Sequence, residues 1–289
     1  MFSKKQIIIL VFLLLASSFV WYAVFRESRS SLSVSFLNVG QGDAIFIETP
    51  HGNQVLIDGG AGRRVLSELG SVMPAYDRSI DLIIATQTDL DHLGGLVEVV
   101  KNFAVGRVIE NGYKANTQVF SEWEKVLAEK RVAHDTVSVG DRIQLGDGIY
   151  LDILGPFPED FDPEPKKANE VMVVARLVYG ERSFLFTGDI ERADEIRLTQ
   201  SGLDIASDVL KVAHHGSKYS STDLFLEKAS PRFTVVSAGA NNRYGHPHPE
   251  TLDRLRVLGA KLFRTDENGR LLFSSNGSIL TVPDGIPHQ

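Results

Sequence analysis

Two carboxylates and an imidazole fall within four positions at Asp89-Leu90-Asp91-His92, in the segment Thr86 to Gly95 that follows the apolar run Leu82 to Ala85. Oxygen and nitrogen donors this dense suit Zn²⁺, Mn²⁺ or Fe²⁺. Gly94 and Gly95 follow, which lets the chain turn closely around such a site and open a helix. The plainer role for Asp89 or Asp91 is to cap that helix. A second set, Lys211-Val212-Ala213-His214-His215-Gly216-Ser217-Lys218, again follows an apolar run. Adjacent histidines point in different directions, so one can bind metal while the other meets substrate or a supporting carboxylate. Thr187-Gly188-Asp189 closes a third apolar run, where a buried carboxylate needs a partner. A metal would supply it, and the two carboxylate oxygens can bridge two ions. The competing role is an N-cap for a helix opening at Ile190. Last, Arg243-Tyr244-Gly245-His246-Pro247-His248-Pro249 presents two imidazoles between stiffening prolines. It suits a general acid or a phosphate contact, or simply a loop opening a helix over Glu250 to Leu258 with Pro249 in its first turn.

Loops this far apart need a scaffold that gathers them. Val34 to Leu37 reads as a strand, Ala44 to Thr49 and Gln54 to Ile57 as a hairpin around His51-Gly52-Asn53, and Leu82 to Ala85 as a buried strand. Helices are expected over Leu93 to Val100 and Thr117 to Lys130, and Pro156 to Lys167 is rich in proline and acid, as a surface loop is. A second hairpin, Val171 to Val178 with Ser183 to Phe186, leads to a helix over Glu191 to Gln200 and a strand over Asp208 to Val212. The two halves repeat one unit of hairpin, helix and strand, each ending in a polar loop. Two sheets packed face to face with helices outside would bring both loops to one edge. In the repeat, His214 lies six residues after Asp208 and Gln87 six after Asp81, so His214 takes the ligand position.

With no cysteine in the chain, disulfides, thiolate zinc sites and a cysteine nucleophile are excluded. A formal net charge of −7 argues against a general electrostatic grip on nucleic acid, so a polyanion must be held by local charge or by metal. Lys4 and Lys5 precede an uncharged run from Ile7 to Phe25, the length of a membrane span. The lysines favour a cytoplasmic start, and Trp21 and Tyr22 suit an interfacial belt. This predicts a single-pass protein of the cell membrane with its catalytic domain outside the cytoplasm. Residues 1–30 form the anchor and joint, and 31–289 a hydrolase domain. The alternative is a signal peptide with an exit near Ala16 to Ser18, which would release a secreted domain.

Taken together, these segments resemble the metallo-β-lactamase superfamily and within it the ComEC-like branch of competence proteins. Phe36-Leu37-Asn38-Val39-Gly40-Gln41-Gly42-Asp43-Ala44 matches that branch's opening signature. Asp58-Gly59-Gly60, Asp89-x-Asp91-His92-x-Gly94-Gly95, Thr187-Gly188-Asp189, His214-His215-Gly216-Ser217 and Tyr244 to Pro249 follow in family order. The resemblance spans about Ser33 to Asp266. It implies an αββα sandwich with one or two divalent ions, zinc or manganese, at one edge. It also implies phosphodiester hydrolysis, with single-stranded DNA or another phosphodiester as substrate. Asp89, Asp91, His92, Asp189 and His214 are the implied metal ligands, and Asp89, Asp91, His215 and His246 the catalytic set. Lys211, Ser217, Lys218 and His248 are candidate phosphate contacts.

The chain departs from the pattern at Gln87, where the superfamily usually has histidine, and an amide is a poorer ligand than imidazole. The middle histidine is replaced by the Asn169 region. One ion held by Asp91, His92, Asp189 and His214 is therefore expected to bind firmly. A second, left with Asp89, Asp189 and Gln87 or Asn169, is expected to be weak. Only one apolar segment accompanies the domain, so direct carriage of DNA across a membrane is not expected. Two other functions stay open. The same centre could attack an ester, lactone or lactam, and a degenerate, anchored binding module could keep the fold without turnover, with Gln87 as its support.

Overall fold

A computed structural model describes residues 3–28, 31–161, 171–285, 287 and 288. The Asn169 region lies outside them. After α1 (Lys4–Ser28), the first sheet takes β1 (Leu32–Phe36), β2 (Ile45–Glu48), β3 (Gln54–Ile57), β4 (Ser79–Ala85), β5 (Ala104–Glu110) and β6 (Ala133–Thr136). The second takes β7 (Arg142–Gly146), β8 (Ile149–Gly155), β9 (Val174–Tyr179), β10 (Arg182–Phe186), β11 (Val209–Lys211), β12 (Phe233–Val236) and β13 (Lys261–Arg264). The chain then returns to the first sheet, where β14 (Leu271–Ser275) pairs antiparallel with β1 and leads to β15 (Leu280–Thr281) and β16 (Pro287–His288). That return strand was not foreseen, because β1 itself shows nothing of which partner takes its free edge. The expected repeat is present. In each half a hairpin, β2–β3 or β9–β10, is followed by a helix, and the next strand lies parallel to the second arm.

Both sheets are covered on two faces, which explains why their strands read as continuous apolar runs rather than alternating ones. Val34, Ile45, Ile47, Leu82 and Ile84 meet Phe184, Phe186 and Phe273 between the sheets. On the outer face of the first sheet, Phe46, Leu56, Ile83 and Ala85 pack under α2 (Arg64–Val72), α3 (Leu90–Asn102) and α4 (Gln118–Lys130). Leu185, Leu210 and Val236 do the same on the second sheet under α5 (Arg192–Gln200), α6 (Asp223–Ala229) and α7 (Pro249–Leu258). The result is the expected αββα sandwich. The C-terminal ends of β1, β3, β4, β10, β11 and β12 open at one edge, and every chemical segment singled out above except Tyr244 to Pro249 follows one of them directly. Helix α1 has mean hydropathy 1.7 over Lys4–Trp21, with none of that window buried, and is long enough to cross a membrane.

Two expectations about this edge are corrected. Helix α3 starts at Leu90, three residues earlier than expected, so Asp91 and His92 sit in its first turn. Gly94 and Gly95 are therefore helical and do not shape a turn. They are small because the helix lies against another loop: a Cβ on Gly95 would come 1.9 Å from the Gly59 carbonyl oxygen. That close approach carries the Asp58 carboxylate to His92.

Candidate metal centre

Asp91, His92, Asp189 and His215 converge at the open edge, with one ligand atom from each lying within 4.8 Å of all the others. His92 Nε2 is 3.0 Å from Asp189 Oδ2, and His215 Nε2 is 3.3 Å from the same oxygen and 3.6 Å from Asp91 Oδ2. Each residue reaches the point from a different element. Asp91 and His92 come from the first turn of α3 and Asp189 from the end of β10. His215 comes from a short 3-10 turn after β11, in which His214 and His215 both have left-handed backbones, φ 49° and 54°.

A second layer of polar groups fixes these ligands. His92 Nδ1 donates to Asp58 Oδ2 at 2.8 Å, and Thr86 donates to both oxygens of Asp58, from its backbone N–H at 2.8 Å and its hydroxyl at 2.6 Å. His215 Nδ1 donates to the Ser237 carbonyl oxygen at 2.9 Å and lies 3.4 Å from Asp43 Oδ1. The other oxygen of Asp43 takes the Lys211 ammonium at 2.5 Å, and that ammonium also donates to the Gly188 carbonyl oxygen at 3.1 Å. Partners on the second nitrogen of a ligating histidine fix its tautomer and orient its ring. Asp43 was missed as a site residue, and Lys211, expected at a substrate phosphate, is instead the buried partner of Asp43. Their signal was present: a charge within or next to a wholly apolar strand must find a partner inside the fold.

The donor set fits a divalent cation. With Nδ1–H given to Asp58, a neutral His92 turns the lone pair of Nε2 towards a carboxylate 3.0 Å away, which is repulsive unless a cation lies between them. Among the described residues, His215 Nε2 and Asp189 Oδ1 are buried without a hydrogen bond. In the metal-free protein a proton fills that role. Burial lowers His92 and His215, but the neighbouring Asp189, Asp58 and Asp43 carboxylates outweigh it and hold both pKa values well above the ordinary histidine range. Burial acts to raise Asp91, yet contact with His215 and the field of His92 bring it to about 2. When bound, a divalent ion supplies Lewis acidity at this point, lowering the pKa of a water and drawing charge from a substrate oxygen. The neighbouring position is poorer. Gln87 is 1% exposed, with neither amide atom hydrogen-bonded among the described residues, while Asp189 Oδ1 lies 3.8 Å from the Lys211 ammonium.

The family model of the metallo-beta-lactamase superfamily matches residues 37–240, which carry all four convergent residues. The chain belongs to the metallo-β-lactamase superfamily. Within it, ComE operon protein 3 of Bacillus subtilis is 33% identical over 277 residues, covering 89% of this chain and 34% of that protein. Competence protein ComA of Neisseria gonorrhoeae is 29% identical over 262 residues, covering 90% of this chain and 35% of that one. The chain thus spans about a third of the length of either relative. Among solved structures, the metallo-beta-lactamase fold protein YhfI from Bacillus subtilis matches with a TM-score of 0.58 at 11% identity, over 84% of this chain and 100% of that one. Igni18, a metallo hydrolase from Ignicoccus hospitalis, matches at 0.55 and 15%, over 83% and 98%. The chain therefore has the metallo-hydrolase fold and is related to competence proteins.

Against the sequence reading, this metallo-β-lactamase edge gathers Asp91, His92 and Asp189 but exchanges the histidine. His215 enters the cluster. His214 turns outward, its Nδ1 3.3 Å from Glu191 Oε1 and its ring 5.6 Å from that of His246. The repeat count does not anticipate this placement, because two consecutive left-handed residues reverse the chain after β11, a turn absent after β4. Asp89 stands at the N-cap position of α3 without capping it, outside the four-residue cluster. Burial and repulsion from Asp91 push its carboxyl up. Asp189 is not a helix cap either, since Glu191 holds that place for α5. Of the expected phosphate contacts, Lys211 and Ser217 are 1% and 2% exposed and do not reach the rim, whereas Lys218 does. His248 lies behind His246, ring centroids 4.9 Å apart. Burial and the fields of His215 and His214 lower His246 to about 4, so it is a neutral hydrogen-bonding ring at pH 7 and not a ready acid.

Proposed function

We propose that the chain is a metal-dependent phosphodiesterase that cleaves single-stranded nucleic acid outside the cytoplasm, tethered to the membrane through α1. The observation that carries it is the convergence of Asp91, His92, Asp189 and His215 on one point beside an open rim, in a chain related to competence proteins. In this reading those four residues hold one ion firmly, and Gln87 leaves a second position weak. Asp89, half-buried beside Asp91 and with its carboxyl raised, receives the proton of the attacking water. His246 offers its neutral ring to a phosphoryl oxygen. Asp58 and Asp43 keep the two histidine ligands in place, and Lys211 offsets one of the buried negative charges.

A second reading rests on a different feature. A cavity of about 740 Å³ opens beside Asp89 with Ala61, Leu90, Val97 and Val119 in its wall, and it would suit a compact ester, lactone or lactam. It is a poor path for a polyanion, because Lys101 is already paired with Glu98 and Glu122, and Arg63 with Glu98.

The test is elemental analysis of the full chain in detergent, with cleavage of single-stranded DNA assayed on the same sample. About one equivalent of zinc or manganese with metal-dependent cleavage is expected. Bound metal without cleavage would shift the assignment to the carbonyl substrates. A folded sample that takes up neither ion would leave only a binding module.

A further inference from the structure

The rim on the second-sheet side carries two aromatic rings that the fold does not use. Tyr219 is 62% exposed and Tyr244 48% exposed, and aromatic faces open to solvent beside a groove are what an unpaired base stacks on. Each lies beside the metal centre. The Tyr244 ring stacks on His246 at 5.8 Å and 24°, and His246 in turn is 6.3 Å from His215 of the cluster. Tyr219 walls a shallow groove of about 440 Å³ with Glu191, Arg192, Ala193, Ile196 and Lys218. Glu191 is the residue that meets His214, so the groove begins where the histidines end. Its loop is fixed in place, with the Arg192 N–H donating to the Tyr219 carbonyl oxygen at 3.2 Å and the Tyr219 N–H to Ser217 Oγ at 3.3 Å.

Both rings come with a cation. The Lys218 ammonium is 5.2 Å from the Tyr219 ring centroid, and the Arg243 guanidinium is 4.8 Å from that of Tyr244 and donates to its hydroxyl at 2.6 Å. Among the described residues, neither these two cations nor Arg192 forms an ion pair with a carboxylate. On a chain of net charge −7, three cations without an ion pair to a carboxylate beside the candidate metal centre run against the background. They also contrast with the cavity by Asp89, whose cations are neutralised from within. Aromatic faces backed by basic side chains bind unpaired bases by stacking and their backbone by charge. A duplex keeps its base faces occupied and cannot use them.

Building on the phosphodiesterase reading, we infer that Tyr219 and Tyr244 are stacking platforms for bases of a single strand on either side of the phosphodiester at the metal centre. Lys218, Arg192 and Arg243 hold the adjoining phosphates. The platforms make the site selective for unpaired strands without reading sequence.

The test uses the full chain in detergent, stripped of metal so that nothing is cut, and fluorescence anisotropy with a labelled oligothymidylate of about ten nucleotides, within the span such grooves engage. Tyr219→Ala and Tyr244→Ala should each weaken binding about five- to hundredfold, the effect of losing one stacked base. Tyr→Trp at either position should restore it, and a duplex of the same length should bind no better to the parent than to the Ala variants. Tyr76→Ala, at a still more exposed tyrosine on the opposite edge, is the control and should change nothing. Parent-like binding by both Ala variants, or no binding by the parent, overturns the inference. Hydrolysis of bis(p-nitrophenyl) phosphate by the metal-loaded parent separates the two readings, since turnover of that diester reports on the metal centre independently of strand binding. No turnover together with weakened strand binding in the Ala variants would remove the phosphodiesterase reading and keep the platforms. Turnover with unchanged strand binding would do the reverse.

Discussion

The exchange of His214 for His215 is the residue-scale result with the sharpest consequence. If His215 is a ligand and His214 is not, His215→Ala should lose bound metal while His214→Ala keeps it, read by elemental analysis of the two variants side by side. Equal loss from both would mean that the turn after β11 rearranges around the ion. Asp58 acts one step further out, holding the Nδ1–H of His92. Asp58→Asn should lower metal affinity about 10- to 100-fold, the usual effect of losing a carboxylate behind a histidine ligand, as measured by competition with a chelating dye. Proton linkage gives the site a pH signature. Both histidines hold their protons well above the ordinary range in the metal-free protein, so the ion must displace them. Affinity should therefore rise between pH 6 and pH 8 and binding should release protons, seen by calorimetry in buffers of different ionisation enthalpy; a flat profile would count against it. Much of this site was legible in the sequence, because Asp91, His92 and Asp189 are polar residues where an apolar strand ends. The choice between two neighbouring histidines was not, because it depends on backbone dihedrals that no pattern of residue types records.

At the scale of elements, the site depends on how α3 lies against the loop after β3. Glycine at 95 lets the helix approach until the Asp58 side chain reaches His92. Gly95→Ala should cost about 3 kcal/mol, since its Cβ would meet the backbone of Gly59 and not a yielding side chain; thermal unfolding of the metal-free variant measures it. Parent-like stability would mean that the helix can move. Helix α5, which follows Asp189, is capped by a reciprocal pair in which Asp194 accepts from the Glu191 N–H. Burial raises the Asp194 carboxyl to about 6. Between about pH 4 and pH 6 the folded state therefore binds more protons there than the unfolded one, and its contribution to stability falls as pH rises through that window. Asp194→Asn removes the ionisation, so it should gain on the parent from pH 4 to pH 6 in parallel denaturant titrations. The strands and helices around the two polar loops could be read from the sequence because each has one strong period. Strands β6 and β7 could not: their burial is slight, and pairing with neighbours, not their own composition, makes them strands.

For the whole molecule, the direction of β1 decides where the chemistry faces. The strand leaves the joint after α1 at Leu32 and delivers the chain at Phe36 to the loop that carries Asp43. The anchor therefore joins the sandwich at the end away from the metal centre, a strand of about 17 Å separating the two. If α1 anchors the domain as proposed, its rim lies at the end of β1 away from the tether. That arrangement has value only if the domain lies on the side where its substrate arrives, and the sequence supplies a weak orienting bias. Lys4 and Lys5 precede the apolar run while Arg26 and Arg29 follow it, so the two flanks nearly balance. The bias towards retaining Lys4 and Lys5 in the cytoplasm comes from their position at the start of the helix. In cells expressing the full chain, protease added to spheroplasts should digest the domain, whereas inverted membrane vesicles should protect it. Replacing both lysines, Lys4→Glu with Lys5→Glu, leaves the arginines as the stronger cationic flank and should turn a substantial fraction of molecules to the protected orientation in spheroplasts. A domain that stays digestible in the double variant would show that the folded mass after α1, and not the flanking charge, sets the topology. A domain protected in spheroplasts of the parent would place the metal centre in the cytoplasm and remove the extracytoplasmic part of the proposal.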